Sequence, residues 1–166
     1  MRYLLNNGAM QTIAAPAKVA TGTAIKTMLQ FKPLVPCKII EWGLSFDGSA
    51  AATPGEVELI ETDVAATVTA FAAADCSKWD GEAIAFGDPT SALISVGAAA
   101  SGFTASAEGT ITAVRDFDIQ LIAGTNQYLK QFPLGREPFC QPNKFTRVRV
   151  TFGASVNMYT YLLVEF

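Results

Sequence analysis

The sequence predicts an all-β fold: a two-sheet β-sandwich of jelly-roll type, with about eight strands and an extended N-terminal arm. Three observations carry this. Lys38–Phe46 and Glu56–Thr62 alternate apolar and polar residues with period two, the signature of strands with one buried face. Trp42 and Phe46 within the first run call for a thick core, as between two packed sheets. Alternating runs then recur to Phe166 with almost no helical periodicity, compact at both ends and loose in the middle. An immunoglobulin-like sandwich fits less well, because the Cys…Trp…Cys order of that fold is missing.

Taken in order, residues 1–23 are rich in Ala, Thr and Gly and lack periodicity, so they read as an arm, with a short strand at Tyr3–Leu5. Arg2, Tyr3, Leu4 and Leu5 are too apolar for a solvated tail, which predicts that a neighbour pins the arm. Residues 24–166 form the single sandwich domain. Its first strand is Ala24–Lys32, ended by Pro33 and Pro36. In Cys37–Phe46 the expected core face is Ile40, Trp42, Leu44 and Phe46. An Asp47-Gly48 turn and a small-residue loop over 49–55 lead to Glu56–Thr62, with Val57 and Leu59 inward and Glu56, Glu58 and Glu61 solvated.

The pattern weakens over 63–108. Ala65–Phe71 reads as helix or strand, Trp79 sits in a turn, Ile84–Phe86 and Leu93–Val96 read as short strands, and Gly97–Gly109 as a loop. Gly109–Ile122 alternates through Phe117, Ile119 and Leu121, with Arg115 marking a bulge or an edge. Tyr128–Leu134 follows, then Lys144–Phe152 with Val148, Val150 and Phe152 inward and Arg147 and Arg149 outward. Val156–Phe166 is apolar on both faces and must be central or covered.

Only 16% of the 166 residues are charged, against about 25% in an ordinary domain. So sparse a set of charges predicts that sister subunits or a partner cover part of the surface. The net charge of −3 is unevenly spread: residues 1–40 carry five basic and no acidic residues, residues 41–118 carry thirteen acidic and two basic, and residues 119–166 carry five basic and two acidic. The basic residues are scattered singly, so no nucleic-acid partner is expected. No apolar run reaches membrane-spanning length, and the N-terminus carries no export signal, which predicts no membrane partner and synthesis in the cytoplasm. Cys37, Cys76 and Cys140 are spaced as buried thiols, not metal ligands.

The sequence contains no histidine, which removes the Ser-His-Asp and Cys-His arrangements and any His metal site. No phosphate-binding loop or nucleophile-elbow motif occurs, and no cofactor is expected. The carboxylate pairs Glu56/Glu58 and Asp116/Asp118 have glycosidase-like composition but read as polar strand faces. Asp47-Gly48 and Asp80-Gly81 read as turns without calcium-loop spacing. Acidic residues Asp75, Asp80, Glu82 and Asp88 load the middle region. Trp79, Tyr128, Phe132 and Phe139 are the aromatics available to bind sugar or to pack at a subunit interface.

The set Gly22-Thr23-Ala24-Ile25-Lys26-Thr27-Met28-Leu29-Gln30, then Ile40-Glu41-Trp42-Gly43-Leu44-Ser45-Phe46-Asp47-Gly48, resembles the opening of small jelly-roll head decoration and minor capsid proteins of tailed bacteriophages. Phe132-Pro133-Leu134-Gly135-Arg136-Glu137-Pro138, Arg147–Thr151 and Val156–Tyr161 resemble their closing segments. The resemblance implies a structural, non-enzymatic virion protein on the capsid exterior, self-associated as a homo-oligomer such as a trimer and bound to the major capsid protein lattice. No catalytic residue comes with it.

The interface residues expected on this basis are Arg2, Tyr3, Leu4, Leu5, Trp79, Phe132, Arg136, Tyr159 and Tyr161. Deleting residues 1–20 should then leave a folded body that attaches weakly. The alternative function is a carbohydrate-binding jelly roll of a fibre or adhesin using Trp79, and a third is a sandwich hydrolase using carboxylates.

Overall fold

A computed structural model describes residues 1–9, 15–48, 53–80 and 90–166. The chain is all-β, and two antiparallel sheets pack face to face. The strands are β1 (Arg2–Asn6), β2 (Val19–Ala20), β3 (Lys26–Phe31), β4 (Cys37–Phe46), β5 (Gly55–Thr62), β6 (Thr67–Ala70), β7 (Ser77–Lys78), β8 (Gly102–Ala107), β9 (Val114–Ile122), β10 (Gln127–Gln131), β11 (Phe139–Cys140), β12 (Phe145–Thr151) and β13 (Asn157–Glu165). A 3-10 turn at Ala73–Asp75 and one helical turn, α1 (Thr90–Leu93), complete the assigned elements.

The first sheet runs β10-β4-β13-β1-β7, with β11 also on β4 and β2 on β13; the second runs β6-β8-β3-β12-β5-β9. In chain order the principal strands are β1, β3, β4, β5, β9, β10, β12 and β13. The first, third, sixth and eighth of these build one sheet and the others the second, which is jelly-roll winding. The core between the sheets holds Tyr3, Leu5, Leu29, Phe31, Ile39, Trp42, Leu59, Val148, Val150, Phe152, Leu162 and Val164. Edge-to-face contacts such as Phe46–Phe152, at 4.9 Å between ring centroids, fill it with aromatic rings.

The start of the expected arm is a body strand. β1 pairs with β13 from Arg2↔Glu165 to Asn6↔Tyr161 and with β7 on its other side. Tyr3 and Leu5 lie in the core at 1% and 0% exposure. The short apolar run Tyr3-Leu4-Leu5 is therefore pinned by its own domain. Residues 10–14 of the expected arm, 49–52 of the expected loop, the strand expected at Ile84–Phe86, and Gly81, Glu82 and Asp88 lie outside the described residues.

In β4 the alternation changes phase. Leu163 pairs with Glu41 while Val164 pairs with Ile39, so Ile40 is the extra residue of a bulge. Ile39 and Cys37 consequently share the core with Trp42 and Leu44, and Ile40, expected inside, is only half-buried. A second bulge at Phe117 does the same in β9, where Leu59 pairs with Asp118 and Ile60 with Asp116. The expected bulge and edge position near Arg115 are both present, since β9 ends its sheet. Beyond the bulge, however, Asp118 turns inward and Ile119 and Leu121 turn out, at 47% and 75% exposure.

Residues 97–109, expected as a loop, contain β8. A Cβ on Gly102 would lie 2.1 Å from the Thr69 carbonyl oxygen, so the small residues of this stretch permit close approach to β6. Thr104 also has a left-handed φ of 54°, and the β6–β8 register shifts twice. A strand of small residues with such irregularity carries no alternation to read. Leu93 closes α1, and Ile94 and Val96 make only isolated bridges, to Pro33 and Ser101.

Candidate functional site

The two outer faces of the sandwich differ. On the second sheet, Gln30 and Arg147 sit beneath the chain's own loops. The Gln30 amide donates to the carbonyls of Ala66 and Ala100 and accepts from the Ala66 N–H. Arg147, expected to be solvated, has no exposed side-chain surface: its guanidinium donates to the Val64 carbonyl and to Glu108. Beside it Glu58, also expected to be solvated, is 9% exposed and accepts from Arg149 Nε at 2.6 Å.

The first sheet has an open outer face, built from alternate residues of four strands. Leu129 of β10 lies opposite Gly43 of β4, Gly43 opposite Tyr161 of β13, and Tyr161 opposite Asn6 of β1. The Tyr161 ring lies across Gly43, where an added Cβ would come within 2.6 Å of the ring. Its hydroxyl donates to Glu41. Burial first, then this hydrogen bond, pushes the Tyr161 pKa above its ordinary value. The Tyr159 hydroxyl donates to the Pro16 carbonyl at 2.7 Å, holding residues 15–18 over the sheet.

Between them lies a cavity of about 390 Å³ lined by Asn6, Ser45, Gln127, Leu129, Tyr159 and Tyr161 among others, none of them charged. A second, shallower depression of about 380 Å³ continues the face past Ile40, Phe132 and Leu134, where Arg2 and Glu165 form an ion pair at 2.9 Å. Leu129 and Leu134 are 62% and 97% exposed. Leu129 lines the uncharged cavity, and Leu134 lines the second depression together with Arg2, Glu137 and Glu165.

Of the nine expected interface residues, Arg2, Leu4, Tyr159 and Tyr161 lie on this face, as register and alternation place them. Phe132 is 9% exposed at its margin, with Lys130 Nζ 5.3 Å from its ring centroid, and Arg136 is exposed in the neighbouring turn. Tyr3 and Leu5 are core. Trp79, 60% exposed beyond β7, donates its backbone N–H to the Arg2 carbonyl and lines none of the described cavities. Leu129 and Leu134 were not anticipated. Their signal in the sequence is single apolar residues in a polar strand and turn.

The open side of the sandwich, between edge strands β9 and β10, is closed by two polar clamps. Asp118 reaches across from β9 and accepts from Trp42 Nε1 at 3.2 Å, Tyr128 Oη at 2.8 Å and Gln120 Nε2 at 2.8 Å, and pairs with Lys130 at 3.2 Å. Arg115 pairs with Glu61 at 2.8 Å and donates to the Phe139 carbonyl on β11. Glu61, read as solvated, is thus buried between the sheets, and Asp118 is no surface carboxylate. The bulge at Phe117 separates Asp116 from Asp118, so they share no face. Among the described residues no group of three or more ligating side chains converges on a point, and no helix is long and apolar enough to cross a membrane.

Burial works against the charge on Asp118, but the hydrogen bonds from Gln120, Tyr128 and Lys130 outweigh it and hold its pKa below the ordinary 3.8. Tyr128 is pushed up to about 12 by burial and by Asp118. A carboxyl lowered in the folded state contributes stability that is complete above its unfolded pKa and is lost as pH falls through the folded value. The clamp should therefore loosen only below about pH 4. The melting temperature of Asp118→Asn should fall less steeply with acid than that of the parent; parallel profiles would contradict the clamp.

No family model matches this chain, and no curated protein or solved structure is significantly similar to it. The fold is a jelly-roll sandwich with one outer sheet face left open.

Proposed function

We propose that this protein is a structural subunit of a virion, self-associated as a homo-oligomer and bound to the outside of a phage capsid. One observation carries the reading: the outer face of the β10-β4-β13-β1 sheet exposes Leu129 and the tyrosine-lined, uncharged cavity, with Leu134 exposed in the turn beyond β10; on the other outer face the chain's own loops cover Arg147, and the exposed apolar residues Ile119 and Leu121 lie on its edge strand β9. An exposed apolar face is one that gains free energy by burial against a neighbour. Bound copies would stabilise the shell by mass action.

The experiment has two parts. Antibody against the chain should label the surface of purified particles from the cells that encode it, at a fixed copy number per particle. In solution, Leu129→Asp with Leu134→Asp should weaken self-association by 100-fold or more, because truncating or charging interface anchors costs about 2 kcal/mol or more each. The melting temperature of the dissociated subunit should hardly change, as exposed substitutions shift stability by about 0.5 kcal/mol or less. Particles free of the chain would overturn the assignment. Saturable binding of a neutral oligosaccharide by a monomeric protein would instead favour the adhesin reading.

A further inference from the structure

β11 is two residues long, and it carries the chain from the exposed 132–138 turn back into the body. It is held to β4 by the pairs Phe139↔Lys38 and Cys140↔Cys37 and by the Ile39 N–H donating to the Pro138 carbonyl. The register sets two cysteines directly opposite each other. Both are buried and both are free thiols, at 3% and 0% exposure. Cys140 Sγ accepts from the Thr146 hydroxyl at 3.3 Å. Cys76, the third thiol, lies next to β7, on the far edge of the same sheet.

We infer that Cys37 and Cys140 are a latent disulfide, a covalent staple between β4 and β11 that closes when the protein meets an oxidant. Directly opposed residues of an antiparallel pair stand about 5.5 Å apart at Cα when they exchange backbone hydrogen bonds. A disulfide accepts roughly 4.4–6.8 Å, so the bond closes without moving either strand far. The hydrogen-bonded Ile39–Pro138 position two residues along sets Cys37–Cys140 at another such position, where Cβ atoms are the wider-spaced class. Drawing them together makes the bond readily reducible.

The reaction with a peroxide is balanced as follows. Each thiol gives up its proton, the two sulfurs together lose two electrons and join, and the peroxide O–O bond breaks to give two waters. Access comes from opening of the short β11, the weakest-held strand beside these sulfurs. The neighbouring Cys140 thiol first, and then burial, push the Cys37 pKa up and otherwise keep it protonated and inert. The staple would fix the 132–138 turn that carries Leu134, and it closes a loop spanning most of the chain, which restricts the unfolded state strongly. The inference stands on strand register and does not depend on the virion assignment.

The test uses the full-length folded protein and hydrogen peroxide. Intact mass should fall by two hydrogens per chain, peptide mapping should recover Cys37 joined to Cys140, and the melting temperature should rise by several degrees and return with dithiothreitol. Cys76→Ser should behave like the parent, while Cys37→Ser and Cys140→Ser should lose both the mass change and the shift. Oxygen addition at single cysteines, a bond involving Cys76, or a link between chains would overturn the inference. So would an unchanged mass in peroxide sufficient to oxidise the methionines.

Discussion

Removing residues 1–8 is expected to leave a chain that does not fold, read as loss of near-ultraviolet circular dichroism and of a cooperative melt. The deletion takes away β1, which stands between β13 and β7 and contributes Tyr3 and Leu5 to the core. Each side chain is worth roughly 3 kcal/mol or more when cut from a packed interior, and the backbone ladder to β13 is lost with them. Against a total stability of about 5–15 kcal/mol, that is most of the margin. Leu5→Ala, which keeps the strand, should cost about 2–5 kcal/mol in chemical denaturation. A folded, cooperatively melting truncate would show that the segment is an arm after all, as its composition suggests.

The second large effect is expected at Glu108. Its carboxylate accepts from the Thr27 N–H at 2.5 Å and the Thr27 hydroxyl at 2.6 Å and pairs with Arg147 at 3.3 Å. One side chain thereby ties β3, β12 and the end of β8 together beneath the loop at Val64. Burial lowers the Arg147 pKa, and the charge of Glu108 works against that. Nε of Arg147 has no hydrogen-bond partner, so the guanidinium has little to spare. Glu108→Ala should destabilise by about 3–5 kcal/mol, because it strands a buried charge. Glu108→Gln should cost clearly less, since the amide can still accept from Thr27. The pairing of Arg147→Met with Glu108→Leu should recover part of the loss, because two matched apolar residues no longer bury an orphan. Denaturant midpoints of the three variants and the parent decide this; an Ala variant as stable as the parent would show the pair to be inert.

What the sequence made legible follows from where alternation is uninterrupted. β13 is apolar on both faces, and its pattern alone does not single out Leu162, whereas β5 and β12 carry apolar residues at period two, so their core residues Val57, Leu59, Val148 and Val150 are where alternation sets them. A single inserted residue defeats that reading. Ile40 in β4 and Phe117 in β9 each shift the phase; Ile40 is one of two adjacent isoleucines, either of which could face the core, and Phe117 stands between two aspartates with only Arg115 hinting at the irregularity. The charged residues misled for another reason. Glu58, Glu61, Asp118 and Arg147 were assigned to water because charge usually is, and each is buried with a partner more than ten residues away in the chain. Pairing at that distance is a property of topology, which local pattern does not encode.

The open outer face was half legible for the same reasons. Tyr159 and Tyr161 stand two apart on one strand, which any reader of period two would place together. Leu129 and Leu134 join them only because β10 pairs with β4, an adjacency made by the jelly-roll winding. Tyr3 and Leu5 were taken for interface because an apolar N-terminus needs a cover, and the cover is the domain's own second sheet.

The account's central claim is that the open face of the β10-β4-β13-β1 sheet is an assembly surface. The most direct test is the solution mass of the unmodified chain by sedimentation equilibrium over a range of concentrations. The account predicts an integer multiple of the chain mass, three for the proposed trimer, that collapses to the single-chain mass in the Leu129→Asp, Leu134→Asp protein. A parent chain that stays monomeric at every concentration, or an oligomer indifferent to those two substitutions, would contradict it.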